Sequence, residues 1–151
     1  MAVIGEPKLQ FKELDRLLRR AKALLEKQGL DRGCGFATCP ATDSAAFDKI
    51  LSDALIFLTE RFYHEEELMR SFTADPLLRN HIDRHKEDHA ELSSELLAIV
   101  LNLQKHALKE LVFRFQRLFG TSLDNHRRNY DAVLDQWLAE ITPEKSGVLP
   151  K

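Results

Sequence analysis

The spacing of the apolar residues constrains the fold of this chain more than any other feature. Along most of the sequence they recur every three or four positions, and no alternating strand pattern occurs. Four such segments are separated by helix-breaking or weakly patterned stretches at 29–43, 73–76 and 104–109. Short connections between amphipathic helices favour antiparallel neighbours. The sequence therefore predicts an all-α fold, an antiparallel up-down-up-down four-helix bundle.

The residues that flank these segments predict where the helices begin. Pro7 suits the first turn of a helix. Residues 42–44 (Thr-Asp-Ser) have the side chains that cap a second helix, and Asp75 followed by Pro76 has the residue types that cap and start a third. The boundary between the third and fourth predicted helices lies near 104–109, and the fourth helix ends at 142–143, a Thr-Pro pair.

Length and composition place the chain among single globular domains. It has 151 residues, of which 44% are hydrophobic and 30% are charged, which is enough for a sizeable core. We expect one domain over 1–151, with a core over about 7–140 and a flexible C-terminal tail over 143–151.

Charge and hydropathy patterning exclude several function classes. A formal net charge of -2 gives no basic excess for nucleic-acid binding. No apolar run is long enough for a membrane span, and residues 1–7 do not resemble a signal peptide. A cytoplasmic location is therefore the default expectation. Cys34 and Cys39 lie in a loop rich in turn residues, where we expect reduced thiols, with a local disulfide or thiol switch as the alternative.

Ionisable residues interrupt the predicted apolar stripes at five positions. Arg61 and Glu65 lie on the stripe of the second helix, His85 and His89 on that of the third, and His126 on that of the fourth. Burial of an unpaired charge costs several kcal/mol, so these side chains need partners in the core. The rest of the acidic run at 65–67 is interpreted as a charged surface.

The pair His85 and His89 predicts a metal site. Residues four apart project from adjacent turns of one helix face, roughly 40° apart, so both imidazoles can bind one ion at about 2.1 Å. Helical bundles build metal sites from such inward histidines and facing carboxylates, here Glu65. His126 by itself is also compatible with a hydrogen-bonded core histidine. His81 extends the histidine column, but it lies about 80° from His89.

Several segments resemble the hemerythrin-like family, especially the bacterial hemerythrins. The segment at 61–69, Arg-Phe-Tyr-His-Glu-Glu-Glu-Leu-Met, is similar to the family's HFxxEExLM. The segment at 85–89, His-Lys-Glu-Asp-His, is similar to HxxxH, and that at 126–131, His-Arg-Arg-Asn-Tyr-Asp, to HxxxxD. Residues 10–14 resemble a QHxxL segment. The resemblance covers about residues 7–140, and it implies a four-helix bundle that holds a non-haem di-iron centre.

The resemblance also implies a set of ligands. It assigns His85, His89 and His126 to one iron, and Glu65 and Asp131 as carboxylates that bridge to a second iron. Asp131 follows His126 by five residues, which corresponds to about 140° around an α-helix. Helical periodicity alone therefore does not predict that Asp131 is a ligand. Of the competing pairs 81/85 and 85/89 on the third helix, we prefer 85/89 because its flanking residues are more similar to the family segment.

The two positions that resemble the histidine ligands of the second iron hold Phe11 and Arg61 instead. Our hypothesis is that Arg61 replaces the second ion and pairs with the bridging carboxylates, while Phe11 fills the remaining volume. The expected cofactor is therefore non-haem iron, one ion rather than two, with manganese or zinc also compatible. Rescue of the second site by His64 or His81 is left open.

Three functions are compatible with this reduced site. The first is a hemerythrin-like metal-binding protein with one ion, which serves oxygen or redox sensing, storage or detoxification and takes dioxygen, another small diatomic molecule or peroxide as ligand. The second is a metal-free interaction or regulatory module in which Arg61 replaces the metal. The third is a mononuclear enzyme that uses an open coordination position. The sequence does not determine the oligomeric state.

Overall fold

The computed structural model describes residues 7–26, 41–72 and 75–148, which are mostly helical and contain no β-strand. The first three helices are α1 (Pro7–Leu25), α2 (Ala41–Met69) and α3 (Pro76–Leu101), and a 3₁₀ turn at Arg70–Phe72 follows α2. The C-terminal helix, residues 108–148, consists of α4 (Leu108–Arg117), α5 (Leu123–His126) and α6 (Ala132–Val148), joined by π-helical turns at Leu118–Ser122 and Arg127–Asp131. The predicted all-α class is confirmed. Cys34 and Cys39 lie outside the described residues.

The start of α3 matches its predicted signals. The Asp75 carboxylate accepts a hydrogen bond from the Leu77 backbone N–H at 2.9 Å, and Pro76 occupies the first turn. Helix α2 differs from the prediction because it begins at Ala41, so the expected cap at 42–44 lies inside its first turn. Asp43 still suits this position, since a negative charge interacts favourably with a helix N-terminus.

The predicted end of the last helix at 142–143 is wrong. Helix α6 continues through Pro143 to Val148. Proline in a helix removes one backbone hydrogen bond and crowds the carbonyl four residues earlier, yet the segment stays helical on both sides of Pro143. The side chains of 141–148 and the residues 149–151 lie outside the described part of the chain.

Four helical segments surround one main apolar core. Helix α1 packs against α2 and α4, α2 packs against α3, and α3 packs against α4. On α1 the buried positions are Leu14, Leu17, Ala21 and Leu24, whereas Leu18 and Leu25 are only partly buried at the edge of the core. No helix within the described ranges is long and apolar enough to cross a bilayer.

A second, smaller apolar cluster lies beyond a polar layer. It consists of Met69, Phe72, Ile82 and Leu134. The buried ionisable side chains are next along the helices: Glu65 precedes Met69 on α2, and His85 and His89 follow Ile82 on α3. Beyond these residues, both helices continue into the main core. The polar residues therefore lie between two apolar clusters, which limits their contact with water.

Candidate metal centre

The three long helical segments α2, α3 and the C-terminal helix bring all five predicted ligands to one place. Glu65 comes from α2, His85 and His89 from α3, His126 from the end of α5, and Asp131 from the π-helical turn that follows. Their exposed fractions are 1% for Glu65, 1% for His85, 3% for His89, 1% for His126 and 7% for Asp131. Buried ionisable groups of this kind must be compensated by one another or by an ion.

The donor atoms of the histidines converge on Glu65. Its Oε2 atom lies 2.7 Å from Nε2 of His89, 3.4 Å from Nε2 of His85 and 3.6 Å from Nε2 of His126. The Nε2 atoms of His85 and His126 face each other at 3.2 Å. One donor atom from each of these four residues lies within 4.8 Å of the others. This buried group can hold a metal ion.

Asp131 joins the cluster because the helix is not α-helical there. Its Oδ1 atom lies 3.0 Å from Nε2 of His126 and 3.3 Å from Nε2 of His85. In a π-helical turn the repeating hydrogen bond joins residues five apart, so a residue and its fifth successor lie on one face. Tyr130 and Val133 are consequently only half-buried, while Asp131 and Leu134 are buried.

The donor separations fit a single ion. Two atoms that each lie about 2.1 Å from one ion, at a right angle, are about 3.0 Å apart. The contacts between imidazole nitrogens and carboxylate oxygens in the cluster run from 2.7 Å to 3.6 Å, and the donor atoms of Glu65 and the three histidines all lie within 4.8 Å of one another. Asp131 Oδ1 is also buried without a hydrogen-bond partner of good geometry among the described residues. Three imidazole nitrogens and carboxylate oxygens form a donor set that suits Fe(II), Mn(II) or Zn(II).

Arg61 lies on the other side of the two carboxylates. Its Nε atom is 3.1 Å from Oε1 of Glu65, and its Nη2 atom contacts Oδ2 of Asp131. Each carboxylate therefore directs one oxygen to the histidines and the other to the guanidinium. The Arg61 side chain is 11% exposed, so this positive charge is largely removed from solvent. The predicted role of Phe11 stays a prediction, because its side chain lies outside the described part of the chain.

The charges in the cluster shift the pKa values of its members. Burial by itself raises the pKa of Glu65, but hydrogen bonds with His126, His85 and His89 and the charge of Arg61 outweigh it and hold the pKa far below its ordinary range. Burial and the neighbouring charge of Glu65 raise the pKa of Asp131, but hydrogen bonds with His126 and His85 and the charge of His126 outweigh them and lower it.

The histidine pKa values move in the opposite direction. Burial by itself lowers the pKa of His126, but contacts with Asp131, Glu65 and Asp88 outweigh it and raise the pKa to about 10. The pKa of His85 is raised for similar reasons. Without a metal ion, the protonated imidazole of His126 and the ionised carboxylates of Glu65 and Asp131 therefore form a buried ion network at neutral pH.

Sequence reasoning missed two carboxylates on the outer side of the imidazoles. The Nδ1 atom of His126 lies 2.6 Å from Oδ2 of Asp88, and the Nδ1 atom of His89 lies 3.0 Å from Oε1 of Glu66. The sequence predicts Glu66 to be part of a charged surface. Glu66 is next to Glu65 in the sequence, and Asp88 is next to His89. This proximity to predicted ligands is the sequence feature that could have identified them.

His81 and His64 lie outside the group of converging donor atoms. The ring of His81 instead packs against two aromatic rings, with centroid distances of 5.5 Å to Tyr130 and 5.3 Å to Trp137. The pair at 85/89, rather than that at 81/85, therefore contributes to the cluster. The ring of Phe62 covers His89 in a stacked arrangement with a centroid distance of 3.9 Å.

Comparisons of the chain with protein-family models, with curated proteins and with solved structures found no match. What the site can do therefore follows from its residues and their geometry. These define a buried cluster of three histidines and two carboxylates, flanked by one arginine, in an all-α protein.

Proposed function

We propose that this chain is a hemerythrin-like protein that binds one metal ion through Glu65, His85, His89, His126 and Asp131. The observation that carries the proposal is the convergence of buried donor atoms of Glu65, His85, His89 and His126 within 4.8 Å of one another, with Oδ1 of Asp131 3.0 Å from Nε2 of His126. Water exclusion by the two apolar clusters favours tight ligation, since it removes competing solvent from the donors.

The geometry of Arg61 supports one ion rather than two. The guanidinium already contacts the second oxygen of Glu65 and of Asp131, which are the oxygens a second ion would need. A second cation there would be close to a permanent positive charge. Arg61 therefore takes the electrostatic role of the second ion.

The proposal extends to the topology and to the metal. The contacts of α1 with α2, α2 with α3, α3 with α4, and α4 with α1 support an antiparallel up-down-up-down bundle. Iron is proposed because of the resemblance of the sequence segments, and manganese and zinc suit the same donors. A bound iron ion would supply redox chemistry and a coordination position for dioxygen, another diatomic molecule or peroxide. Such a site would serve sensing, storage or detoxification.

A second candidate function is a metal-free interaction or regulatory module. The observation that favours it is the ion network itself, in which Arg61 pairs with both carboxylates and the imidazoles contact Glu65 and Asp131. Buried networks of this kind are acceptable in a core when their members are mutually paired. The two candidates differ in whether the native protein contains a metal ion.

Elemental analysis of protein purified without a chelator, before and after incubation with Fe(II), Mn(II) or Zn(II), separates the candidates. We expect one ion per chain, and loss of that ion in His89→Ala and His126→Ala. His106→Ala is the matched control, because His106 is half-exposed and pairs with Glu110 far from the cluster in sequence. No bound ion after incubation favours the metal-free module, and two ions per chain contradict the proposed role of Arg61.

A further inference from the structure

Two partly exposed carboxylates contact the outer nitrogens of the cluster. The Asp88 side chain is 25% exposed and lies 2.6 Å from Nδ1 of His126, and the Glu66 side chain is 38% exposed and lies 3.0 Å from Nδ1 of His89. Neither carboxylate reaches the centre of the cluster. We propose that Asp88 and Glu66 are positioning residues that hold His126 and His89 in the orientation and tautomer needed to bind metal. This inference rests on the proposed function.

The chemistry of imidazole explains the effect of such a contact. A neutral imidazole carries one proton, on either Nδ1 or Nε2, and an ionised carboxylate can only accept a hydrogen bond. A carboxylate beside Nδ1 therefore requires the proton to be there, which leaves the lone pair on Nε2 for an ion. The same contact fixes the ring plane and increases the basicity of the ligating nitrogen.

The arrangement also connects neighbouring helices. Glu66 directly follows Glu65 on α2, but it orients His89 on α3. Asp88 directly precedes His89 on α3, but it orients His126 on α5. Consecutive helical residues point about 100° apart, so a residue beside a ligand is directed to the side, toward the adjacent helix. Helices α2 and α3 thus each supply, beside their ligands, one carboxylate that orients a ligand of the next helix.

The geometry indicates that Asp88 has a stronger effect on its histidine than Glu66 has. The contact of Asp88 is the shorter, and Asp88 is the less exposed of the two, so it should restrict its imidazole more strongly. Asp88 also lines a groove of about 250 Å³ between α3 and the C-terminal helix, whose wall includes His126 and Tyr130. Truncation of Asp88 would let water from this groove contact Nδ1 of His126. Because water can either donate or accept a hydrogen bond, it would not select one tautomer of the imidazole.

The first measurement is the affinity for Co(II), determined by competition with a chelator for full-length wild type, Asp88→Ala and Glu66→Ala. We expect Asp88→Ala to bind Co(II) about 10–100-fold more weakly, and Glu66→Ala to lose a smaller factor. Glu87→Ala is the matched control, because Glu87 is the exposed carboxylate next to Asp88 on α3. The control should stay within about twofold of wild type, as expected for a surface residue outside the site.

The second measurement is the tautomer, read from the Nδ1–H proton signals of the imidazoles in the Zn(II)-loaded protein by NMR. Asp88→Ala should remove the protected signal of His126 and keep that of His89, and Glu66→Ala should do the reverse. If the two carboxylates had a purely structural role, each variant would bind metal more weakly, but neither would lose the Nδ1–H signal of one particular histidine. If Asp88→Ala does not fold, Glu66→Ala and the signal of His89 decide the question.

Two results would overturn the inference. One is that both variants bind Co(II) as Glu87→Ala does, and the other is that Nδ1 of His126 carries no proton in the loaded wild type. Failure of the wild type to bind Co(II) or Zn(II) would instead refute the proposed function. The two failures are therefore distinguishable.

Discussion

Replacement of Arg61 by methionine tests how the two buried carboxylates are compensated. Methionine keeps much of the length and the apolar stem of arginine, but it removes the charge and the contacts with Glu65 and Asp131. Glu65 is 1% exposed and the Asp131 side chain is 10% exposed, so solvent cannot replace the guanidinium. Removal of one partner from a buried ion pair costs about 3–5 kcal/mol.

The imidazoles reduce this loss, because they share both carboxylates. Nε2 of His89 is 2.7 Å from Glu65, and Nε2 of His126 is 3.0 Å from Asp131. We therefore expect the lower end of the range, a decrease of about 3 kcal/mol in the free energy of unfolding. For a chain of this size that decrease corresponds to about 6–12 °C in Tm.

The assay is urea unfolding of the metal-free protein at neutral pH, followed by circular dichroism. Arg20→Met is the matched control, because Arg20 pairs with Asp53 at 2.6 Å, but the two side chains are 30% and 15% exposed. Asp53 also keeps Lys49 at 2.8 Å when Arg20 is removed. We expect the control to lose less than about 1 kcal/mol. Equal losses in the two variants, or an Arg61→Met protein as stable as wild type, would refute the electrostatic role of Arg61.

Three further predictions concern the metal. Arg61→His exchanges the guanidinium for a potential ligand, so elemental analysis should find more than one ion per chain; an unchanged single ion would argue against the role of Arg61. Carboxylate contacts raise the pKa of His85, and they raise that of His126 to about 10, so an ion must displace protons. Affinity measured by calorimetry should therefore increase from about pH 6 to about pH 8, and a flat profile would contradict this reasoning. His81→Ala should retain nearly all bound metal, whereas His89→Ala should lose it; comparable losses would make His81 a ligand.

The helices themselves were largely predictable from local rules. Asp75 and Pro76 identify the start of α3 because capping depends on residues within one turn. The extent of the last helix was not predictable in this way, since α6 continues through Pro143. A single missing N–H weakens a helix without deciding whether the neighbouring bonds persist.

The inner ligands were predictable to a different degree. His85 and His89 follow from their spacing on an apolar stripe, and Glu65 follows from its place on a facing stripe. Asp131 was implied only by the resemblance of its segment to a known family, because α-helical periodicity rotates it away from His126. The π-helical turn brings it back, and no local rule used for the sequence predicts such a turn.

By itself the sequence determined four amphipathic segments and the placement of ionisable residues on their apolar faces, because both follow from interactions within one or two helical turns. Only the tertiary structure decided that Arg61 contacts both Glu65 and Asp131, and that Asp88 and Glu66 contact the outer nitrogens of histidines on other helices. These contacts depend on the axial register of one helix against another and on the π-helical turn. That register is set by the packing of the whole core, so no single segment contains it.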